Sequence, residues 1–345
     1  MKKLYPLKFK PILKSRVWGG TALVGRFGKE LPADSEFDGG SIGESWEISA
    51  IDGDCSEVAN GFLAENDLQD ILETYLGELV GDRLFEWYNL HFPLLVKILD
   101  IRDFFSLQVH PDDETAFERY DSFGKTEFWY VMESSPDAKV YMGFKRDTDA
   151  SEFYDACRKG TAQDLLNVYH PEKGDCFFIK AGTVHAAGGG LVIAEVQESS
   201  DITFRLYDWG RELDPATRRE MHLDEAIDCI DYTRYDENSR YRKGAAGSGT
   251  LAECSQFIVN GLELSGSIEV RPEDERSFTI YICTSGSAIL REEGRTWPLK
   301  CGESVLVPAS CDEFLLSPVE TGTYLLEVRM PLPPEEGEDD DYTRK

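Results

Sequence analysis

The sequence predicts a mainly β chain with α insertions, arranged as two small β-barrel domains of which the second is degenerate. Three observations carry this expectation. Short apolar and aromatic runs separated by Gly-containing turns fill most of the 345 residues, the pattern of antiparallel sandwiches and barrels. Helical spacing of apolar residues is confined to a few stretches. Residues 174–185 also align without gaps with residues 302–313, each reading Gly-acid, apolar run, turn, and an aromatic segment precedes each copy, Phe128-Trp129-Tyr130-Val131 and Phe278-Thr279-Ile280-Tyr281-Ile282. Self-similarity of this kind marks a duplicated unit.

Turn chemistry and short β-like runs, at 15–20 and 41–49, dominate the first 60 residues. Between Asp67 and Leu90, the residues Leu68, Ile71, Leu72, Tyr75, Leu76, Leu79 and Leu84 recur at three- and four-residue steps, which predicts one or two amphipathic helices. Buried strands are expected at 93–99 and 104–109. A short helix at 111–120 follows, with Pro111 in its first turn and Asp112, Asp113 and Glu114 near its positive end. Next come strands at 127–132 and 138–144, helical patterns at 150–158 and 162–168, and strands at 176–179, 191–196 and 203–206. Residues 251–330 read as strands throughout. The expected organisation is a first domain over 1–243 with the helical insertions, a linker or mobile loop at 244–250, a second β domain at 251–330, and a disordered acidic tail at 331–345.

The chain carries 36 Lys plus Arg against 65 Asp plus Glu, a net charge of −29. Such a surface repels phosphodiester backbones and anionic lipid, so neither nucleic acid nor membrane is an expected partner. No apolar run follows the basic start, which argues against a secretory leader. Eight cysteines are scattered without a Cys-x-x-Cys pair, as expected of free thiols in a reducing cytoplasm.

Two of the five histidines have suggestive neighbours. Strand alternation places Gln108 and His110 on one face, and Lys125 and Glu127 on one face. With His185, the two imidazoles, the carboxylate and the carboxamide make a four-donor set for a divalent metal of borderline softness, whether Zn²⁺, Fe²⁺ or Mn²⁺. The same residues also fit a capped turn and a solvated strand edge, and spacing alone does not choose. Gly124-Lys125-Thr126 is not a phosphate loop, because Arg119 stands where that motif needs glycine.

Gln108-Val109-His110-Pro111-Asp112-Asp113, Gly124-Lys125-Thr126-Glu127-Phe128-Trp129-Tyr130, Ala181-Gly182-Thr183-Val184-His185 and the run from Ser199 to Asp208 resemble the motifs of type I mannose-6-phosphate isomerases, metal-dependent cupins. Arg16-Val17-Trp18-Gly19-Gly20 and Gly43-Glu44-Ser45-Trp46 are similar to the N-terminal signatures of the shorter bacterial form. The resemblance implies two cupin-type jelly-roll barrels and one Zn²⁺ held in the first by Gln108, His110, Glu127 and His185. It further implies interconversion of mannose 6-phosphate and fructose 6-phosphate through a cis-enediol. Lys180 replaces the proline usual before the cupin histidine. The second copy has Ser310 and Glu313 for the glycine and histidine, so no metal is expected there.

Within that frame, Asp201 or a metal-associated group is the candidate for moving the C1/C2 proton, Arg205 for stabilising the enediolate, and Lys125 for assisting polarisation or proton transfer between oxygens. Lys97, Arg16 and Trp18 are the candidates for substrate binding, with Arg211 a further candidate base for the phosphate. Lys97 interrupts an apolar run and needs either a phosphate or an acid such as Glu44 beside it. A catalytically silent cupin that senses a phosphosugar is the competing reading. A phosphosugar is the expected small-molecule partner, and the expected state is a monomer or weak homodimer.

Overall fold

In the computed structural model, which describes residues 2–31, 41–236, 240–271 and 276–333, the repeat seen in the sequence is one backbone motif made twice. Gly174 and Gly302 adopt φ of 92° and 84°, a conformation that costs glycine little. Gly174 N–H donates to Val131 O (2.8 Å) and Val131 N–H to Asp175 O (2.9 Å). Likewise Gly302 N–H donates to Cys283 O (2.8 Å) and Cys283 N–H to Glu303 O (3.0 Å). The strand after each glycine, Cys176–Ile179 or Ser304–Val307, then pairs antiparallel with its aromatic strand, Glu127–Ser134 or Thr279–Ser285.

The chain divides into two units, one of residues 13–46 and 95–244, the other of the described parts of 1–12, 47–94 and 245–345. This differs from the expected uninterrupted first domain over 1–243. The helical stretch groups with the C-terminal strands because its apolar stripe is covered there. Leu68, Ile71, Leu72, Tyr75 and Leu79 are buried, Phe92 packs on Phe278 with ring centroids 4.8 Å apart, and Ala309 N–H donates to Leu79 O (2.9 Å). Leu7 and Leu306 exchange backbone hydrogen bonds of 2.8 and 2.9 Å. An amphipathic pattern shows that a stripe will be buried, not which core buries it. The expected tail lies, from residue 334 on, outside the described residues.

The first unit carries a seven-stranded sheet in the order Ile12–Gly20, Ile42–Ile48, Leu94–Ile101, Leu191–Glu198, Glu127–Ser134, Cys176–Ile179, Tyr241–Arg242. Its second sheet runs Phe204–Tyr207, Leu107–Val109, His185–Gly188, Lys139–Phe144, Leu166–Tyr169. Trp129, Val131, Phe177 and Ile193 of the one sheet and Val140, Met142 and Ala186 of the other share one core. The second unit repeats this two-sheet arrangement, with Thr323–Arg329, Thr279–Ser285 and Ser304–Val307 adjacent in one sheet and Phe314–Pro318, Ser287–Glu292 and Arg295–Lys300 in the other.

Local departures from expectation have local causes. The helical stretch forms three pieces, Leu68–Tyr75, Gly77–Val80 and Asp82–Tyr88, broken where Leu76 and Gly81 take positive φ. The helix Asp113–Tyr120 starts after Pro111, because the Asp112 side chain caps it by accepting from Thr115 N–H (2.9 Å). Of the helical pattern at 162–168, one turn (Ala162–Leu165) forms; Leu166–Tyr169 instead pairs with Lys139–Phe144. A free sheet edge overrode a weak helical preference there. No described helix is long and apolar enough to cross a membrane, and all eight cysteines are free.

Candidate metal centre and active site

Register builds the site. Gln108 pairs with His185 on one side and with Arg205 on the other, so three adjacent strands set Arg205, Gln108 and His185 side by side. From the opposite sheet, Glu127 shares its strand face with Trp129 and Val131, both core residues. His185 opens its strand after a turn whose Gly182, at φ 86°, donates its N–H to His110 O (2.9 Å). That bond ties the two histidine-bearing segments together.

Each imidazole is oriented through its Nδ1. His110 Nδ1 lies 2.9 Å from Ile202 O and His185 Nδ1 2.9 Å from Thr183 O, so both rings donate there and direct the Nε2 lone pair into the site. His110 Nε2 is 3.3 Å from Glu127 Oε1, His185 Nε2 is 3.6 Å from Glu127 Oε2, and the Gln108 carboxamide reaches His185 Nε2 at 3.2 Å. One donor atom from each of His110, Glu127 and His185 lies within 4.8 Å of the others. Burial, helped by the Lys125 charge, pushes the His110 pKa down to about 3 and burial lowers that of His185, leaving both rings neutral. Burial alone would raise the Glu127 pKa, but its surroundings, the Lys125 ammonium among them, hold it below its ordinary value, as the carboxylate. His110 Nε2 and Glu127 Oε2 are buried with no hydrogen-bond partner. Two neutral imidazoles, a carboxylate and a carboxamide, with orphaned atoms converging, fit a divalent cation of borderline softness.

A cavity of about 420 Å³ opens on this group, lined by Arg16, Trp18, Glu44, Lys97, Gln108, Lys125, Glu127, Glu195, Asp201, Thr203, Arg205 and Arg219 among others. Arg16, Trp18, Lys97, Gln108, Lys125, Glu127, Asp201 and Arg205 thus line one cavity, with His110 and His185 against Glu127; the further candidate Arg211 is not among the lining residues and donates instead to Asp208 and Phe104 O. Lys125 Nζ stands 3.7 Å from Glu127 Oε1 and 3.2 Å from Thr203 Oγ1. Asp201 is exposed at the cavity's edge. Arg205 Nη1 donates to Glu220 O (2.5 Å), while burial, Arg219 and the other guanidiniums nearby lower its pKa to about 10.

Lys97 meets an acid, and that acid is Glu195 at 3.2 Å, with Gln197 Oε1 at 2.5 Å. Burial alone would lower the Lys97 pKa, but Glu195 and then Glu44 raise it, so it stays charged. Glu44 itself is held by Arg16 Nε (2.6 Å) and the Trp46 indole N–H (2.7 Å). The glycines of the N-terminal signatures have a steric reason: a Cβ on Gly43 would sit 2.6 Å from Arg16 Cβ and 2.7 Å from Trp18 Cζ3. Two lining residues escaped the sequence reading. Glu195 left the same signal as Lys97, a charge inside an apolar run. Arg219 left none; its guanidinium is aimed by the fully buried Asp208, which also takes Arg211.

Comparison with known proteins bears on the chain as a whole. The family model "Phosphomannose isomerase type I, catalytic domain" matches residues 6–159, and "Mannose-6-phosphate isomerase, cupin domain" matches 248–320. Mannose-6-phosphate isomerase ManA of Bacillus subtilis is 34% identical over 318 residues, covering 90% of this chain and 95% of that protein. Mannose-6-phosphate isomerase of Streptococcus mutans is 30% identical over 305 residues, covering 88% and 92%. A crystal structure of the Bacillus subtilis mannose 6-phosphate isomerase superimposes with a TM-score of 0.79 at 30% identity, covering 95% of this chain and all of that one. With its aligned strands, converging donors and full-length relatives, the chain belongs to the type I phosphomannose isomerases.

Proposed function

We propose that this protein interconverts mannose 6-phosphate and fructose 6-phosphate through a cis-enediol, at one Zn²⁺ in the first of two cupin-type barrels. The observation that carries this reading is the pair of buried, unpartnered donor atoms, His110 Nε2 and Glu127 Oε2, in a cavity that also holds Lys125 and Arg205. Gln108, His110, Glu127 and His185 would hold the metal. When bound, it supplies Lewis-acid polarisation of the sugar carbonyl without redox chemistry. The chain's own groups do the rest. Asp201, at the cavity edge, accepts the carbon-bound proton and returns it to the neighbouring carbon. Lys125 moves the proton between O1 and O2, its ammonium held at the site by Thr203 and Glu127. Arg205, charged at neutral pH, stabilises the negative oxygen that develops on the enediolate.

Arg16 and Arg219 bring positive charge for the phosphate into the same cavity, and Trp18 walls the sugar pocket. Lys97 acts indirectly, by neutralising Glu195. The second barrel is degenerate on this reading. By strand register Thr279 takes the place of Glu127, and Glu313 takes that of His185 with its side chain 62% exposed. Incubating purified protein with fructose 6-phosphate, with and without chelator, tests the proposal. Mannose 6-phosphate should form, chelation should stop it, and added Zn²⁺ should restore it. A metal-loaded protein that binds the phosphosugar without converting it would instead be the silent sensor.

A further inference from the structure

The turn that delivers Lys125 to the cavity has all three of its backbone N–H groups held. Lys125 N–H donates to Pro111 O (3.1 Å). The flanking two go to carboxyl groups: Gly124 N–H to Asp113 Oδ1 (2.9 Å) and Thr126 N–H to Glu198 Oε2 (2.7 Å). Glu198 is 6% exposed, its own N–H donates to Thr126 O (3.2 Å), and its carboxyl group faces that of Asp113. Gly124 is pressed onto the helix start at the other end of the clamp, for a Cβ there would lie 2.6 Å from Asp113 N. Two acids side by side are an unfavourable way to hold a turn unless they share a proton. Burial, and then the Asp113 charge, push Glu198 well above the usual carboxylate range, so Glu198 keeps that proton. One of its oxygens then accepts from Thr126 while its O–H donates to Asp113.

We propose that Glu198 and Asp113 are positioning residues, a two-carboxyl clamp that fixes the Gly124–Thr126 turn and through it the placement of Lys125 in the active site. This rests on the isomerase reading above. Neither acid touches the reacting atoms; both act through the backbone. A proton-transfer group displaced by about 1 Å loses rate far more than affinity, so the clamp bears on kcat.

The test uses the full-length, zinc-loaded protein and three variants, Glu198→Ala, Glu198→Gln and Asp113→Ala. Two readouts are taken: amide hydrogen exchange of the peptide containing 124–126, and kcat and KM for fructose 6-phosphate. In Glu198→Ala, exchange in that peptide should quicken and kcat should fall, each by about tenfold or more, with KM held within about threefold. Asp113→Ala should show the same direction of change. Glu198→Gln should stay within about threefold of the parent in both readouts, because a carboxamide accepts from Thr126 and donates to Asp113 as the protonated acid does. Unchanged exchange or kcat in Glu198→Ala and Asp113→Ala would overturn the proposal, and so would a Gln variant as impaired as the Ala variant. If Glu198→Ala does not fold, Asp113→Ala and Glu198→Gln still decide. An inert parent protein would sink the isomerase reading instead, a failure visible in turnover and not in exchange.

Discussion

Lys97 Nζ lies 3.2 Å from Glu195 Oε2 where both side chains are 5% exposed. The two strands that carry them, Leu94–Ile101 and Leu191–Glu198, are neighbours in the seven-stranded sheet. Each charge is tolerated in an apolar run because the other faces it. Removing one partner strands the other in a low dielectric, which costs on the order of 3–5 kcal/mol. Lys97→Met should therefore lower unfolding stability in urea by about that much, and Lys97→Met with Glu195→Gln should regain most of it. A Lys97→Met variant of parental stability with a strongly raised KM would show instead that the ammonium serves the phosphate directly.

On the proposed function, holding metal and turning over substrate are separable tasks. His185→Ala removes a donor and should weaken Zn²⁺ binding by about 100-fold or more, leaving under about 0.1 Zn²⁺ per chain after dialysis against a weak chelator. Arg205→Ala leaves all four donors in place. It should keep about one Zn²⁺ per chain while turnover falls by about 100-fold. Elemental analysis and steady-state kinetics on the same samples check both halves; turnover of Arg205→Ala within a few-fold of the parent would remove the enediolate role.

Much of this was legible in the sequence, for identifiable reasons. Strand alternation is a local rule, so Gln108 could be put on one face with His110, and Lys125 with Glu127, from the sequence alone, while Lys97 stood out as a charge inside an apolar run. The repeat was legible because a positive-φ glycine and the apolar run behind it recur in fixed order, and Gly174 and Gly302 make the same hydrogen bonds. What was not legible depends on contacts distant in sequence. The helices around Leu72 pack with strands some 200 residues later in the chain, and periodicity carries no address. The choice of Glu195 over Glu44 as the partner of Lys97 rests on which strands adjoin and on Arg16 engaging Glu44 first. Arg219 sits in irregular backbone, where no period exists to read.

Acid should weaken the Glu44 side of the cavity. Burial alone would raise Glu44, but Lys97 and Arg16 lower its pKa from 4.5 to about 2. A carboxylate with a depressed folded-state pKa contributes stability that is fully present above the unfolded value. It is lost as pH falls through 4.5 toward 2. The full contribution is on the order of 3 kcal/mol. Metal-free protein should therefore exceed Glu44→Gln in stability by about that amount at pH 6, with the gap closing as pH drops from 4.5 toward 3. Urea unfolding at a series of pH values measures the gap, and one that did not narrow would show that the Arg16 and Trp46 contacts stabilise without the charge.

Gly43 gives the sharpest steric prediction, because the distances leave no room for relaxation of a flexible end. A methyl group there would sit 2.6 Å from Arg16 Cβ and 2.7 Å from Trp18 Cζ3. One contact is at the root of its side chain and the other on a rigid ring, so both residues must shift, at a cost of about 1–3 kcal/mol. Both line the cavity, and neither is one of the proposed metal donors. Gly43→Ala should consequently raise KM for fructose 6-phosphate by about tenfold while zinc content stays near one per chain and kcat changes less than KM. Gly25→Ala is the matched control, since a Cβ at Gly25 meets nothing within 4 Å, and it should behave as the parent. If Gly43→Ala instead lowered kcat with KM unchanged, Arg16 and Trp18 would be shaping the transition state and not merely the pocket that receives the sugar.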